Sequence, residues 1–135
     1  MPTDAATLRD FAARYTAAWC SHDPGRVASF FSPGASLAVN NGSPAVGREA
    51  IAEFAQSFMT TFPDLKVAMD DLRVQVDCAE YDWTLTGTNH VSGGKSHKVR
   101  IRGLERWRIG ADDLIASSQG HFDADDYQRQ LEQGI

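Results

Sequence analysis

The sequence predicts an α+β domain, and three observations carry that prediction. Apolar residues recur at helical spacing through the first half, the period changes to two after Pro63, and turn residues punctuate the second half. Leu8, Phe11, Ala12, Tyr15 and Trp19 fall at i, i+3, i+4, i+7 and i+11, which predicts a helix from about Ala5 to Ser21. Asp23-Pro24 then starts a short helix, with Asp as the cap and Pro at the first turn, where its missing N–H costs nothing. Val27, Phe30 and Phe31 form its apolar side and Pro33-Gly34 its end. Ser36 to Asn40 reads as a strand closed by an Asn41-Gly42 turn. A third helix runs from about Arg48 to Phe62 on the stripe Ile51, Phe54, Ala55, Phe58 and Phe62. Four strands follow, Leu65 to Val76, Ala79 to Asn89, His97 to Ile109 and Leu114 to Phe122, with a turn at Ser92-Gly93-Gly94 and another over Gly110 to Asp113. A helix from about Ala124 to Leu131 closes the chain.

At 135 residues this order fits one domain over residues 1–135, with helices packed on a curved, mainly antiparallel sheet. A twisted sheet that curls over helices leaves a pocket where the facing side chains do not fill the space. Composition is that of a globular chain, 42% hydrophobic and 23% charged, and the formal charge of −5 argues against nucleic acid or an acidic membrane as partner. No apolar run approaches the roughly 20 residues that span a bilayer, and Met1 to Asp4 carries no leader pattern, so a cytoplasmic protein is expected. Cys20 and Cys78 then read as two reduced core thiols. The scattered His22, His90, His97 and His121 form no metal set, no Gly-rich phosphate loop precedes a helix, and no cofactor is expected.

Alternation assigns faces. On the strand from His97, Val99, Ile101, Gly103, Glu105, Trp107 and Ile109 point inward, and Lys98, Arg100, Arg102, Arg106 and Arg108 outward. On the strand before it, Tyr81, Trp83 and Leu85 oppose Glu80, Asp82 and Thr84, so an acidic face beside the basic one forms cross-strand ion pairs. The arginine stripe is a solvated sheet face or a dimer contact. Glu105 is alone among inward apolar residues; it is either a satisfied structural carboxylate or a pocket group. Ile115, Ser117, Gln119, His121 and Asp123 share one face of the last strand, which is either its solvent side or a polar pocket floor; a bulge would exchange the two.

Five segments carry a resemblance. Trp19-Cys20-Ser21-His22-Asp23, Gly47-Arg48-Glu49-Ala50-Ile51, Phe62-Pro63-Asp64-Leu65, Trp83-Thr84-Leu85-Thr86-Gly87-Thr88, and Asp123 with Gln130-Leu131 resemble, in order, motifs of SnoaL-like proteins of the NTF2-like superfamily. The resemblance implies a cone-shaped α+β fold around a pocket and a homodimer formed through the sheet. It also implies a hydrophobic, polyketide-like small molecule as partner. In the family's cyclases an Asp at the end of the last strand is the general acid/base, assisted by a nearby His. Asp123 matches that Asp. The assisting His has no counterpart on the preceding strand after His97, where Glu105 and Trp107 stand instead, and His121 approaches Asp123 from the same strand.

The expected site therefore has Asp123 as general acid/base, with His121 or Glu105 relaying the proton. Tyr15, Trp19, Phe58, Trp83, Trp107 and Gln119 would contact the ligand. The expected chemistry is cofactor-independent cyclisation, isomerisation or hydrolysis. The alternative is a non-catalytic binding or dimerisation module in which Asp123 only caps the last helix.

Overall fold

Helix starts come first, because each is fixed by a residue the sequence supplies. The computed structural model describes residues 4–76, 78–90 and 96–135. Asp4 accepts the Thr7 backbone N–H at 2.8 Å and opens α1, Ala5–Cys20. Asp23 accepts from the Arg26 N–H at 3.2 Å and opens α2, Pro24–Ala28, with Pro24 in the first turn. α3, Arg48–Thr61, is entered through Gly47 at φ 90°, a left-handed value that favours glycine. α1 buries Leu8, Phe11, Ala12, Tyr15, Ala18 and Trp19, the stripe its spacing predicts plus Ala18.

Six strands form one curved, open sheet in the order β2-β1-β6-β5-β4-β3. They are β1 Phe31–Val39, β2 Ala45–Val46, β3 Lys66–Gln75, β4 Cys78–His90, β5 Ser96–Ile109 and β6 Ile115–Phe122, and α4, Ala124–Gln133, follows. The β3-β4-β5-β6 run is the expected antiparallel meander. β1 differs from expectation. It starts at Phe31 rather than Ser36 and runs through Pro33-Gly34, both exposed, with an irregularity between Phe31 and Ser36 that absorbs the proline. It pairs parallel with β6 and antiparallel with the two-residue β2, neither of which the sequence signalled. The expected Ser92-Gly93-Gly94 turn lies outside the described residues.

The resembling motifs are joints between elements. His22 Nε2 meets the Leu65 carbonyl at 3.0 Å, which ties the end of α1 to the start of β3. The Asp64 carboxylate accepts from the Thr88 backbone N–H at 2.6 Å and from its hydroxyl at 2.7 Å, tying that start to β4. A Cβ on Gly87 would lie 2.7 Å from Phe62 Cβ, so only glycine lets the fully buried Phe62 sit against β4. Arg48 Nε donates to the Phe31 carbonyl at 2.8 Å and fastens α3 to β1.

β5 alternates as expected: Val99, Ile101 and Trp107 are buried, and Lys98, Arg100, Arg102, Arg106 and Arg108 are exposed. The acidic residues of β4 find their main cation on the other neighbour. Arg73 of β3 meets Asp82 and Glu80 at 2.7 Å each, while from β5 Arg106 reaches Glu80 at 3.6 Å. Cys20 and Cys78 are free thiols, but Cys20 is exposed and Cys78 half-buried, so neither is a core residue. Cys20 sits at the helix end, where its sulfur meets the Val67 backbone instead of packing. No helix among the described residues is long and apolar enough to cross a membrane.

Candidate functional site

Between the sheet and α1, α3 and α4 lies a cavity of about 70 Å³. Its wall is almost wholly apolar: Trp19 from α1, Phe54 and Phe58 from α3, Trp83 and Leu85 from β4, Ile101 from β5, Phe122 from β6 and Tyr127 from α4 are among the residues that line it. A ~150 Å³ apolar cavity takes a benzene-sized guest, so a larger ligand enters only if rings at the half-buried rim swing aside. Phe54, Phe58, Trp83, Phe122 and Tyr127 are those rings.

One carboxylate interrupts this wall. Glu105 of β5 lines the cavity and accepts from three side chains. Ser118 Oγ donates to Oε1 at 2.8 Å, Tyr15 Oη at 3.1 Å and Trp107 Nε1 at 3.2 Å. Among the described residues, Oε2 receives only the second arm of the Tyr15 hydroxyl, at 3.2 Å. Burial pushes the Glu105 carboxyl above its ordinary value, and the bonds from Ser118, Trp107 and Tyr15 oppose that rise without cancelling it. The Tyr15 phenol is driven well above its ordinary value, first by burial and then by the neighbouring Glu105 charge, so it remains a donor.

The donors are rigid because they belong to the densest part of the core. Tyr15 and Trp107 are fully buried. Trp107 stacks on Tyr81 at 4.9 Å, and Tyr15 meets Trp107, Tyr81 and Phe30 edge-on at 5.3, 5.4 and 5.7 Å. Thr16 spends its hydroxyl proton on the Ala12 carbonyl and bonds the Tyr81 hydroxyl, which fixes that ring to α1.

The sequence-predicted site residues separate into three groups. Trp19, Phe58, Trp83 and Glu105 line the cavity. Tyr15 and Trp107 lie behind its wall; they hold Glu105 and leave ligand contact to others. Gln119 and His121 face the opposite side of the sheet, in a second, more polar pocket of about 330 Å³ with Ser36, Asn41 and Pro44. The cause is a bulge in β6. Ile109 pairs with Ile115 but Arg108 pairs with Ser117, so Ala116 is the extra residue, and from there the even positions Ser118, Gly120 and Phe122 turn inward. Asp123 is exposed and caps α4, accepting the Asp126 N–H at 3.0 Å. Glu105, His121 and Asp123 therefore do not converge on one cavity.

Sequence reasoning missed Ser118, Phe122 and Tyr127. The first two are hidden by the bulge, which leaves no residue signature at Ala116. Tyr127 is set by how α4 docks. Gln130, buried, accepts the Arg100 backbone N–H at 2.7 Å and donates to Asp126 at 2.8 Å, and Asn89 donates to the Leu131 carbonyl at 3.3 Å. Among the described residues no group of His, Cys, Asp and Glu is arranged to hold a metal ion.

Comparison with known proteins places this geometry. A family model for the SnoaL-like domain matches residues 12–118. A search of curated protein sequences returns no significant match. Among solved structures, TsrD from Streptomyces laurentii is 22% identical with a TM-score of 0.82, covering 96% of this chain and 97% of its own. A protein of ketosteroid isomerase-like fold from Catenulispora acidiphila, in complex with trimethylamine, is 16% identical with a TM-score of 0.79, covering 91% and 92%. SalBIII, an epoxide hydrolase/cyclase-like enzyme of pyran ring formation in the polyether salinomycin, is 17% identical with a TM-score of 0.79, covering 91% and 95%.

Proposed function

The chain belongs to the SnoaL-like domain family, and from that premise we propose a cofactor-independent acid/base enzyme acting on a small hydrophobic molecule, with Glu105 carrying the proton. Cyclisation, isomerisation and hydrolysis are the reaction classes this site suits. The observation that carries the reading is a desolvated carboxylate in the wall of an apolar cavity, held by Tyr15, Ser118 and Trp107. A raised carboxyl pKa makes the anion a stronger base and keeps the acid form available nearer neutrality. Oε1 is occupied by its three donors, so Oε2 takes or returns the proton of the bound molecule. The likeness to SalBIII supports chemistry that forms or opens rings, and the trimethylamine in the Catenulispora protein supports a fold that admits small organic molecules.

Screening cyclic ketones and polyketide-like compounds tests the reading. At least one is turned over, and Glu105→Gln lowers kcat by about 10²–10⁴-fold with KM little changed. Asp123→Ala keeps its turnover; a loss there instead transfers the proton to Asp123, the role the family pattern suggests. One observation favours a non-catalytic binding module: Glu105 is satisfied by internal donors without any ligand. Ligand binding with no turnover by the wild type supports that module. The reading also pairs two copies through the outer, arginine-bearing face of the sheet, and a monomer across micromolar concentrations in sedimentation contradicts it.

A further inference from the structure

We infer that the molecule bound in this cavity is a small aliphatic amine, held as its ammonium ion against Glu105 with its alkyl groups among the aromatic rings. The inference rests on Glu105 exchanging a proton with the bound molecule, and it names that molecule's class. Charge is the first observation. Glu105 is the carboxylate of the cavity wall, and no Lys, Arg or His is among the described residues that line it. An anion would meet a carboxylate and apolar rings without any compensating cation. A cation would meet a counter-charge already in place.

The carboxylate has room for that cation. Ser118, Tyr15 and Trp107 all donate to Oε1, whereas among the described residues Oε2 receives one arm of the Tyr15 hydroxyl. A carboxylate oxygen accepts about two hydrogen bonds, so Oε2 keeps an acceptor position. Glu105 retains some accessible surface and lines the cavity. Folding has already taken this group out of bulk water. An arriving ammonium therefore adds only its own dehydration.

The rings suit the same guest. Trp19, Phe58, Tyr127, Phe122 and Trp83 form a chain with centroids 6.4, 6.4, 5.4 and 6.2 Å apart in that order. Each neighbouring pair is edge-on or tilted and none is stacked, so no pair covers two faces against each other. The face of a ring carries its negative charge and attracts a cation within about 6 Å of the centroid. Rings beside a void can turn a face toward a guest. A neutral alcohol would bond Oε2 but gain neither the counter-charge nor the ring faces.

The amine crosses the apolar rim as its free base. Inside, the Glu105 O–H breaks as an N–H forms on the nitrogen lone pair, which leaves carboxylate and ammonium side by side. The raised Glu105 pKa keeps the acid form available for this transfer. A cavity of about 70 Å³ limits the alkyl part to a short chain.

The test uses the full chain and three probes of one branched shape, isopropylamine, isopropanol and acetate, in NMR titrations at neutral pH. Isopropylamine should bind about tenfold more tightly than isopropanol, the worth of one charge-assisted hydrogen bond, and acetate should not bind. Glu105→Gln keeps the shape, removes the charge and should bring isopropylamine to the affinity of isopropanol. Phe58→Leu should weaken isopropylamine about threefold and isopropanol little. Bound isopropylamine should also lower the pH at which the Glu105 carboxyl titrates, because a nearby cation favours the carboxylate. The inference is overturned if isopropanol or acetate binds as tightly as the amine, or if Glu105→Gln keeps the preference. It is equally overturned if Phe58→Leu weakens both probes alike, or if the Glu105 midpoint does not fall. Should Glu105→Gln fail to fold, the wild-type affinities and midpoint decide. Glu105-dependent turnover of a neutral ketone without amine binding sinks this inference and spares the function. Amine binding by a protein that turns nothing over sinks the catalysis and spares the amine site.

Discussion

The molecule contains two aromatic clusters that meet at Glu105, and they differ in what surrounds them. Behind the carboxylate, Tyr15, Phe31, Tyr81 and Trp107 are almost wholly buried and contact one another edge-on or stacked. In front of it, Phe54, Phe58, Trp83, Phe122 and Tyr127 are half-buried and border empty space. A ring packed on all sides has one pose and can fix a hydrogen bond; a ring beside a void can move to admit a guest. Rigidity is thus placed around Glu105 and adaptability around the cavity, where the proposed function would hold a proton and admit a ligand.

Truncation should separate the clusters most strongly. Trp107→Ala should cost about 3–5 kcal/mol in thermal or denaturant unfolding, because it opens a void in close-packed core and strips a donor from Glu105. Phe54→Ala, at the rim, should cost less than half of that. Equal costs would erase the distinction. Tyr15→Phe comes next, at about 1–2 kcal/mol, since it removes the bond shared by both Glu105 oxygens while keeping the ring. That bond lowers the Glu105 pKa, so the variant should titrate Glu105 higher than the wild type does. Asp123→Ala should cost about 1 kcal/mol through the lost α4 cap, and Asp123→Asn should recover most of it.

The smallest effect sharpens the comparison through pH. Glu105 has its pKa raised by folding, so the native state binds this proton more tightly than the unfolded chain does. Its contribution to stability is fully present below the unfolded value near 4.5 and is lost as pH rises through the folded value. Glu105→Gln should flatten that part of the stability–pH curve in denaturant titrations. An unchanged slope would mean that another group causes it.

Much of this architecture was legible in the residues. Periodicity located α1 and the meander, and alternation put Glu105 and Trp107 on the inner face of β5, because a long central strand has no freedom to change sides. The edges were harder. β1 runs through a proline, a strand breaker that is tolerated at its bulge, and β2 is too short to leave a pattern. The site was half legible for the same reason. Trp19, Phe58, Trp83 and Glu105 follow from their own elements' periods. His121, Gln119 and Ser118 depend on one extra residue in β6, and no composition signal marks Ala116 as that residue. Asp123 matched a family position by sequence, yet its backbone φ of −76° and ψ of 100° put it at the mouth of a helix, where an Asp caps.

The central claim is that Glu105 is a desolvated, donor-held carboxylate which moves a proton. It is tested most directly by titrating its side-chain ¹³C carboxyl signal by NMR in the folded protein, assigned through the loss of that signal in Glu105→Gln. The structure predicts a midpoint above the ordinary glutamate value of 4.5, rising further in Tyr15→Phe. A midpoint at or below 4.5 would mean that the three donors outweigh burial. Glu105 would then be a structural carboxylate, and the proton chemistry would have to be sought at Asp123 or abandoned.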